Sequence, residues 1–92
     1  MPGILFRVEF VKSAKKEFNK LPSAIQNIII EAVRLLRLNP FSELLKIKKL
    51  KGAPNLYRVR ISDWRLVYEI NREAHLIVVI KIAHRSEVYH HL

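Results

Sequence analysis

Apolar and charged residues alternate close to the start of the chain, between Ile4 and Val11. Because the side chains of an extended chain point alternately to its two faces, this pattern predicts a strand with one buried face. The buried face would hold Phe6, Val8 and Phe10, and the solvent face would hold Arg7 and Glu9.

The apolar spacing becomes helical after this strand. Ala14, Phe18 and Leu21 recur at intervals of three or four residues, and most of the positions between them are polar. This spacing predicts a short amphipathic helix, with Ser13 as a candidate N-cap. Pro22 then ends the helix, because proline cannot continue the backbone hydrogen bonding.

A second and longer helix follows at once. Ser23 and Gln26 have the spacing of a capping box. A wide apolar stripe between residues 25 and 36 predicts one buried helical face. Asn39-Pro40 ends this helix, because a residue before proline avoids the helical conformation. The two helices therefore form a helical hairpin with a very short turn.

Three strands are predicted in the second half of the chain. Leu56 to Ile61 and Trp64 to Ile70 form a pair joined by a tight turn at Ser62-Asp63. Leu76 to Ala83 is nearly all β-branched, which predicts a central strand covered on much of both faces. The segment from Phe41 to Leu56 is rich in lysine and is predicted to be an irregular basic loop ending in a turn.

The predicted element order is β-α-α-β-β-β, which gives an α+β domain with a helical hairpin packed on one face of an antiparallel sheet. The 92 residues suit a single domain, residues 1–92, with a modest core. The absence of cysteine excludes disulfides and thiolate chemistry. The longest apolar run, Leu76 to Ile80, is too short to span a membrane. We therefore expect a soluble, cytoplasmic protein without a signal peptide.

The net charge narrows the class of partner. Lysine and arginine number 17 and aspartate and glutamate 8, which gives +9. A field of this size attracts polyanions, so the candidate partners are nucleic acid, an anionic membrane and an acidic protein. The alternative is a basic protein without a polyanionic partner.

Part of this charge falls on the predicted strand pair. If Ser62-Asp63 is a two-residue loop, Arg60 lies opposite Arg65, and Arg58 shares their face. Like charges in opposite positions destabilise a strand pair, so this face favours a phosphate clamp. The alternative is that the arginines are solvated and paired with Asp63, Glu69 or Glu73. The other face, which meets the helices, would hold Tyr57, Val59, Ile61, Trp64, Leu66, Tyr68 and Ile70.

The residues after the last strand add further side chains that suit nucleic-acid chemistry. His84, Arg85 and Tyr89 can reach the arginine face from there. Histidine can transfer a proton near neutral pH, and tyrosine can stack on a base or act as an acid. His84 could equally be a strand-end residue without a role. No spacing suggests a metal site and no phosphate-binding loop is present, so we expect no cofactor.

Several short motifs, each weak alone, follow one another over nearly the whole chain. They are Phe10, Ala14, Phe18, Leu21-Pro22, Asn39-Pro40, Leu50-Lys51-Gly52, Tyr57-Arg58-Val59-Arg60, Trp64-Arg65-Leu66-Val67-Tyr68-Glu69-Ile70, His84-Arg85 and Val88-Tyr89. In this order and spacing the chain resembles the RelE/ParE superfamily of toxins of type II toxin–antitoxin systems, and its RelE type in particular.

The resemblance implies a RelE-like fold and a ribosome-dependent endoribonuclease that cleaves messenger RNA in the ribosomal A site. In that reaction the ribose 2′-hydroxyl attacks the adjacent phosphodiester, which inhibits translation. The residues implied to bind phosphate and stabilise charge are Arg58, Arg60, Arg65 and Arg85. Tyr89 would stack on a base or orient the 2′-hydroxyl, and three further residues would bind the ribosomal RNA backbone: Lys48, Lys49 and Lys51.

The sequence departs from RelE at one pair of residues. RelE itself has lysines, one of them a candidate base, where this chain has Arg58 and Arg60. Arginine does not readily lose its proton, so it is a poor general base. Either the base lies elsewhere, in His84 or in a ribosomal RNA group, or charge stabilisation dominates catalysis.

Two other functions are compatible with the same resemblance. One is a ParE-like protein that inhibits DNA gyrase and cleaves no RNA, and the other is a degenerate member that only binds its antitoxin. In every case the resemblance implies a cognate, RelB-like antitoxin. Its acidic or amphipathic segment would neutralise the basic groove.

Overall fold

The computed structural model describes residues 5–87, which contain two helices and five strands. The elements are β1 (Arg7–Phe10), α1 (Lys12–Asn19), α2 (Ser23–Leu38), β2 (Lys46–Lys49), β3 (Leu56–Ile61), β4 (Trp64–Asn71) and β5 (Leu76–His84). The strands form one sheet in the order β1-β5-β4-β3-β2. β1 runs parallel to β5, and the other neighbours are antiparallel. The predicted α+β class is confirmed, but the sheet is not wholly antiparallel as predicted, because β1 pairs in parallel with β5.

The predicted order lacks one strand, because the segment interpreted as an irregular basic loop contains β2. This strand lies at the edge of the sheet and pairs with β3, from Lys46 opposite Arg60 to Lys49 opposite Tyr57. Its sequence is Lys-Ile-Lys-Lys, and lysine is depleted in strands. At a sheet edge, however, lysine protects against pairing with another chain. The observed order is therefore β-α-α-β-β-β-β.

Both predicted helix caps are wrong. α1 begins one residue before Ser13, and α2 begins at Ser23 itself, and neither helix has a side-chain hydrogen bond at its N-cap. Gln26 donates its side-chain amide to the carbonyl of Phe18 at 2.9 Å instead of completing a capping box. This bond ties the end of α1 to the first turn of α2, so Gln26 fixes the helical hairpin.

The predicted register of the β3–β4 hairpin is confirmed. Ile61 lies opposite Trp64, Arg60 opposite Arg65, and the pairing continues without a slip to Leu56 opposite Glu69. Ser62, the first residue of the two-residue turn, has a φ of 56°. Turns of this length require a positive φ at that position, since only then does their twist match that of the strands.

The helices pack on one face of the sheet, and β5 lies near its middle, between β1 and β4. Its predicted central position is confirmed. Within residues 5–87, neither helix has the length and apolar character needed to cross a bilayer. The buried core on the helix side consists of Ala14, Ile29, Ala32, Leu36, Tyr57, Val59, Ile61, Leu66, Tyr68, Ile70, Ile77, Val79 and Ile82.

Tyr68 joins this core to the segment that follows α2. Its side chain is completely buried, and its hydroxyl donates to the backbone carbonyl of Pro40 at 3.1 Å. The ring stacks on Tyr57 with 5.9 Å between centroids. Burial raises the pKa of the Tyr68 hydroxyl well above its ordinary value, and Tyr57 raises it further. The folded protein therefore keeps this proton where an unfolded chain would lose it.

We expect Tyr68→Phe to lower the free energy of unfolding by about 1–3 kcal/mol at neutral pH, because the buried Pro40 carbonyl loses its donor. The folded pKa of Tyr68 is raised, so its contribution is complete below the unfolded pKa of about 10 and declines as the pH rises above it. Urea unfolding across this pH range should show a shallower alkaline decline in the variant. Parallel curves for the two proteins would contradict the assignment.

Candidate nucleic-acid interface

One face of the sheet carries a row of cationic side chains, contributed by three neighbouring strands. Arg60 of β3 lies opposite both Arg65 of β4 and Lys46 of β2, and Arg58 lies opposite Lys48. Residues in opposite positions share a face, and so do residues two apart on one strand. We call this set of five the basic face. It lies on the side of the sheet away from the helices.

The three lysines predicted to bind RNA do not share one surface. Lys48 belongs to the basic face, but Lys49 lies opposite Tyr57 and therefore on the face that meets the helices. Lys51 follows β2 in the turn that contains Gly52, whose φ is 79°. Lys46 was missed, because its segment was interpreted as a loop. The alternation Lys46-Ile47-Lys48 was the signal that could have placed it on a strand.

Arg65 is the most enclosed cation of the basic face, with only 8% of the residue exposed. Its Nη1 donates to two backbone carbonyls, of Ser62 at 3.2 Å and of Trp64 at 3.0 Å. Its Nε is buried and has no hydrogen-bond partner among the described residues. The hairpin turn therefore holds Nη1 in place, and the guanidinium carries further donors that these two bonds do not use.

The charge on Arg65 is disfavoured in the folded protein. Burial is the main reason why the pKa of Arg65 lies below its ordinary value. The positive charges of three other arginines lower this pKa further: Arg60, Arg58 and Arg85. The carboxylate of Asp63 acts in the opposite direction. The attraction of an anionic ligand at this position would offset both the desolvation and the repulsion.

An apolar floor lies between the arginines. Val67 is completely buried and Ala83 is 5% exposed, and Leu50 and Leu56 pack against them. Val67 lies opposite Arg58, and Ala83 lies opposite Arg65, so the floor is on the basic face. A charge bound above a water-excluding surface interacts more strongly with fixed cations than it would in bulk water.

The alternative of arginines paired with acids is contradicted for Arg60 and Arg65, although Arg60 is exposed to solvent as that alternative expected. Neither forms an ion pair with Asp63, Glu69, Glu73 or any other acid within residues 5–87. The ion pairs of that range join other residues, namely Arg7 with Glu9, Arg34 with Glu31 and Lys81 with Glu17.

Arg85 follows β5 and lies beside the hairpin turn. Its backbone amide donates to the carbonyl of Asp63 at 2.8 Å. Its residue is exposed, and its charge is close enough to lower the pKa of Arg65. Arg85 is therefore positioned to act at the turn end of the basic face, next to Arg65.

His84 was expected to reach the arginine face, and the structure contradicts this. It lies opposite Trp64, a residue that packs on the helix-side core. Its ring meets the indole edge-on with 5.5 Å between centroids, and its Nδ1 is 3.0 Å from the hydroxyl of Ser86. The geometric reason for making His84 a catalytic residue is thus removed. Tyr89, the other non-arginine candidate, lies outside the described residues.

The arrangement suits charge stabilisation better than proton transfer. Guanidiniums offer forked donors that match phosphate oxygens, and they stay protonated at neutral pH. A pentacoordinate phosphorane gathers more negative charge than the phosphodiester from which it forms, so fixed cations would favour it. No arginine of this set is suited to remove a proton.

Comparison with known protein sequences agrees with the resemblance to toxins of type II toxin–antitoxin systems. The family model for the ParE toxin of type II toxin–antitoxin systems matches residues 8–89. Toxin RelE3 of Methanocaldococcus jannaschii is 34% identical over 86 residues, covering 94% of this chain and 93% of that protein. The mRNA interferase toxin RelE of Escherichia coli K12 is 32% identical over 87 residues, covering 89% and 87% respectively.

Solved structures agree with the sequence comparison. A chain of the archaeal RelE–RelB complex from Pyrococcus horikoshii OT3 superposes with a TM-score of 0.80 at 29% identity, covering 91% of this chain and 99% of that one. The isolated Escherichia coli RelE toxin gives 0.75 at 30% identity, covering 94% and 93%. The chain belongs to the RelE/ParE superfamily of toxins of type II toxin–antitoxin systems.

Proposed function

We propose that this toxin is a ribosome-dependent endoribonuclease that cleaves messenger RNA in the A site. The observation that carries the proposal is the basic face, where Arg65 lies enclosed among like charges above an apolar floor. Such an arrangement does not stabilise the fold. It would stabilise the transition state of a phosphodiester reaction, which is more anionic than the ground state. The relative from Escherichia coli is named an mRNA interferase, which supports the same chemistry.

In the proposed reaction the ribose 2′-oxygen attacks the adjacent phosphorus, and the bond from phosphorus to the 5′-oxygen of the next nucleotide breaks. The 2′-hydroxyl loses its proton, and the leaving 5′-oxygen gains one, so a 2′,3′-cyclic phosphate and a 5′-hydroxyl form. Arg58, Arg60, Arg65 and Arg85 would bind the non-bridging oxygens. Their contribution would be to stabilise the charge of the phosphorane.

The proposed dependence on the ribosome rests on the arginines, which are poor bases, and on His84, which faces the other way. The two lysines of the basic face are proposed to contact phosphate rather than to remove a proton. We therefore assign removal of the 2′-proton to a ribosomal RNA group, or leave it to the solvent under strong charge stabilisation. The site of action would then be the cytoplasm, and free RNA would be cut poorly.

A cognate antitoxin would be the second partner. Solved complexes of relatives contain RelE with RelB. For this chain we propose a RelB-like protein with an acidic or amphipathic segment. It would inhibit by covering the basic face, since a charge-complementary chain would compete there with RNA phosphates.

Primer extension on translating ribosomes tests the proposed nuclease. Cuts within the A-site codon, absent with free RNA, are the expected result. The family model carries the name of ParE, so gyrase must be examined in the same cells. Intact messenger RNA together with accumulated gyrase–DNA adducts would overturn the nuclease in favour of a gyrase inhibitor.

The two β2 lysines of the basic face should contribute to ribosome binding as phosphate contacts. We expect Lys46→Ala and Lys48→Ala each to weaken binding and to lower the slope of log affinity against log salt by about 1, as expected when one phosphate contact is lost. Lys49→Ala is the matched control, because Lys49 lies on the same strand but on the other face. Equal effects at all three positions would contradict the assignment of faces.

A further inference from the structure

The second half of β5 has one edge that β1 does not cover. β1 pairs with β5 only as far as Phe10 opposite Val79. Val11 then donates its backbone amide to the carbonyl of Val79 at 3.0 Å, and α1 begins at the next residue. Within residues 5–87, the edge beyond Val79 therefore faces α1 instead of a strand.

Glu17 of α1 supplies the missing partner. One carboxylate oxygen accepts from the backbone amide of Ile82, and the other accepts from the Nζ of Lys81, both at 2.9 Å. The Glu17 and Lys81 side chains are only 30% and 22% exposed. Exposed ion pairs contribute little to stability, whereas breaking the contacts of a half-buried carboxylate with both oxygens hydrogen-bonded costs more free energy.

These contacts lie directly after an irregularity in β5. Tyr68 of β4 lies opposite Val79, but the preceding residue, Val67, lies opposite Lys81. Ile80 is thus an additional residue in the strand, as in a β-bulge. A bulge re-aims the chain that follows it, and here the following chain leads to Arg85.

We propose that Glu17 is a positioning residue for the basic face, and that it acts through Arg85. Its carboxylate fixes the direction of β5 after the bulge, and so determines where Arg85 emerges beside Arg65. The proposal rests on the proposed role of Arg85 in binding RNA phosphate.

A double-mutant cycle tests whether Glu17 acts through Arg85. Glu17→Ala should lower single-turnover cleavage on ribosomes by on the order of 10- to 100-fold, as misplacement of a remote group can. Glu17→Gln keeps an acceptor for the Ile82 amide, so it should recover much of the loss. In an Arg85→Ala background, Glu17→Ala should have little further effect, since its target is gone.

The matched control is Glu31→Ala, which removes an exposed glutamate paired with Arg34 on α2. It should leave cleavage unchanged. If the losses from Glu17→Ala and Arg85→Ala multiply in the double variant, Glu17 has only a general structural role and the proposal is overturned.

Amide hydrogen exchange tests the positioning role of Glu17 without a measurement of cleavage. In the Glu17→Ala variant the amides of Ile82 and Arg85 should exchange at least about tenfold faster, while core amides of β4 stay protected. If the wild-type toxin cuts no messenger RNA, the proposed nuclease fails, but this measurement still applies. Unchanged exchange at Arg85 would overturn the positioning role, and a uniform increase over the whole sheet would do the same.

Discussion

Arg65→Met is expected to lose messenger RNA cleavage on the ribosome by on the order of 10²–10³-fold, the scale of removing one oriented charge-stabilising group. The guanidinium is held by the carbonyls of Ser62 and Trp64, so in the proposed site its other donors would be presented to the substrate in a fixed direction. Methionine has a similar length but offers no donor and no charge. Single-turnover primer extension on A-site-programmed ribosomes measures the loss.

The same substitution should leave the fold at least as stable as the wild-type protein. The charge of Arg65 is buried and repelled by neighbouring arginines, and both effects disfavour the folded state. An apolar side chain removes them, and the exposed position of Ser62 lets water reach its freed carbonyl. Urea unfolding provides the measurement, with Arg34→Met on the exposed face of α2 as the control. A variant that is both inactive and markedly less stable would show that Arg65 mainly maintains the fold.

Arg85→Ala should restore growth to cells that express the toxin and should lower cleavage by on the order of 10²-fold. Arg85 is exposed, and its contact with the hairpin turn uses its backbone amide, which alanine retains. The substitution therefore removes charge without removing the turn contact. Arg85→Lys should give intermediate cleavage, because it keeps the charge but loses the forked donors.

Growth assays need a control for expression and folding. Arg34→Ala also removes an exposed arginine, but from α2, and it should leave the toxin fully active. Thermal unfolding of Arg85→Ala should match the wild type. Full toxicity of a folded Arg85→Ala protein would remove Arg85 from the proposed site.

The hairpin was predictable because two local signals agree there. Alternation assigns each residue of β3 and β4 to a face, and the Ser62-Asp63 turn fixes which residues lie opposite each other. The position of Arg60 opposite Arg65 needs no long-range information. The same is true of β5, whose β-branched residues indicate a strand near the middle of the sheet.

Features set by contacts distant in sequence are only weakly marked by local sequence patterns. β2 is four residues long and mostly lysine, so its strand conformation depends on pairing with β3. Gln26 has the spacing of a capping residue, but its amide binds Phe18 because α1 folds back beside it. Local propensity competes in both cases with a tertiary contact that a sequence pattern does not contain.

The orientation of His84 shows that one additional residue in a strand moves every later side chain to the opposite face. Strict alternation from Ile77, which faces the helices, would place every second residue on the helix side and would leave His84 on the arginine face. The additional residue at Ile80 shifts the pattern, so that Ile82 and His84 join the helix side and Ala83 joins the arginines. No turn residue or glycine marks this bulge in the sequence.

The crowding of cations on the basic face has a thermodynamic consequence. Any polyanion that neutralises Arg65 and its neighbours is bound with an additional gain, the relief of repulsion already present in the free protein. That relief is available only once. Two polyanionic ligands that both depend on it must therefore show negative linkage, each weakening the other's affinity by the same factor. An acidic inhibitor that reached only the edge of this surface would, by this argument, still lower the affinity for RNA.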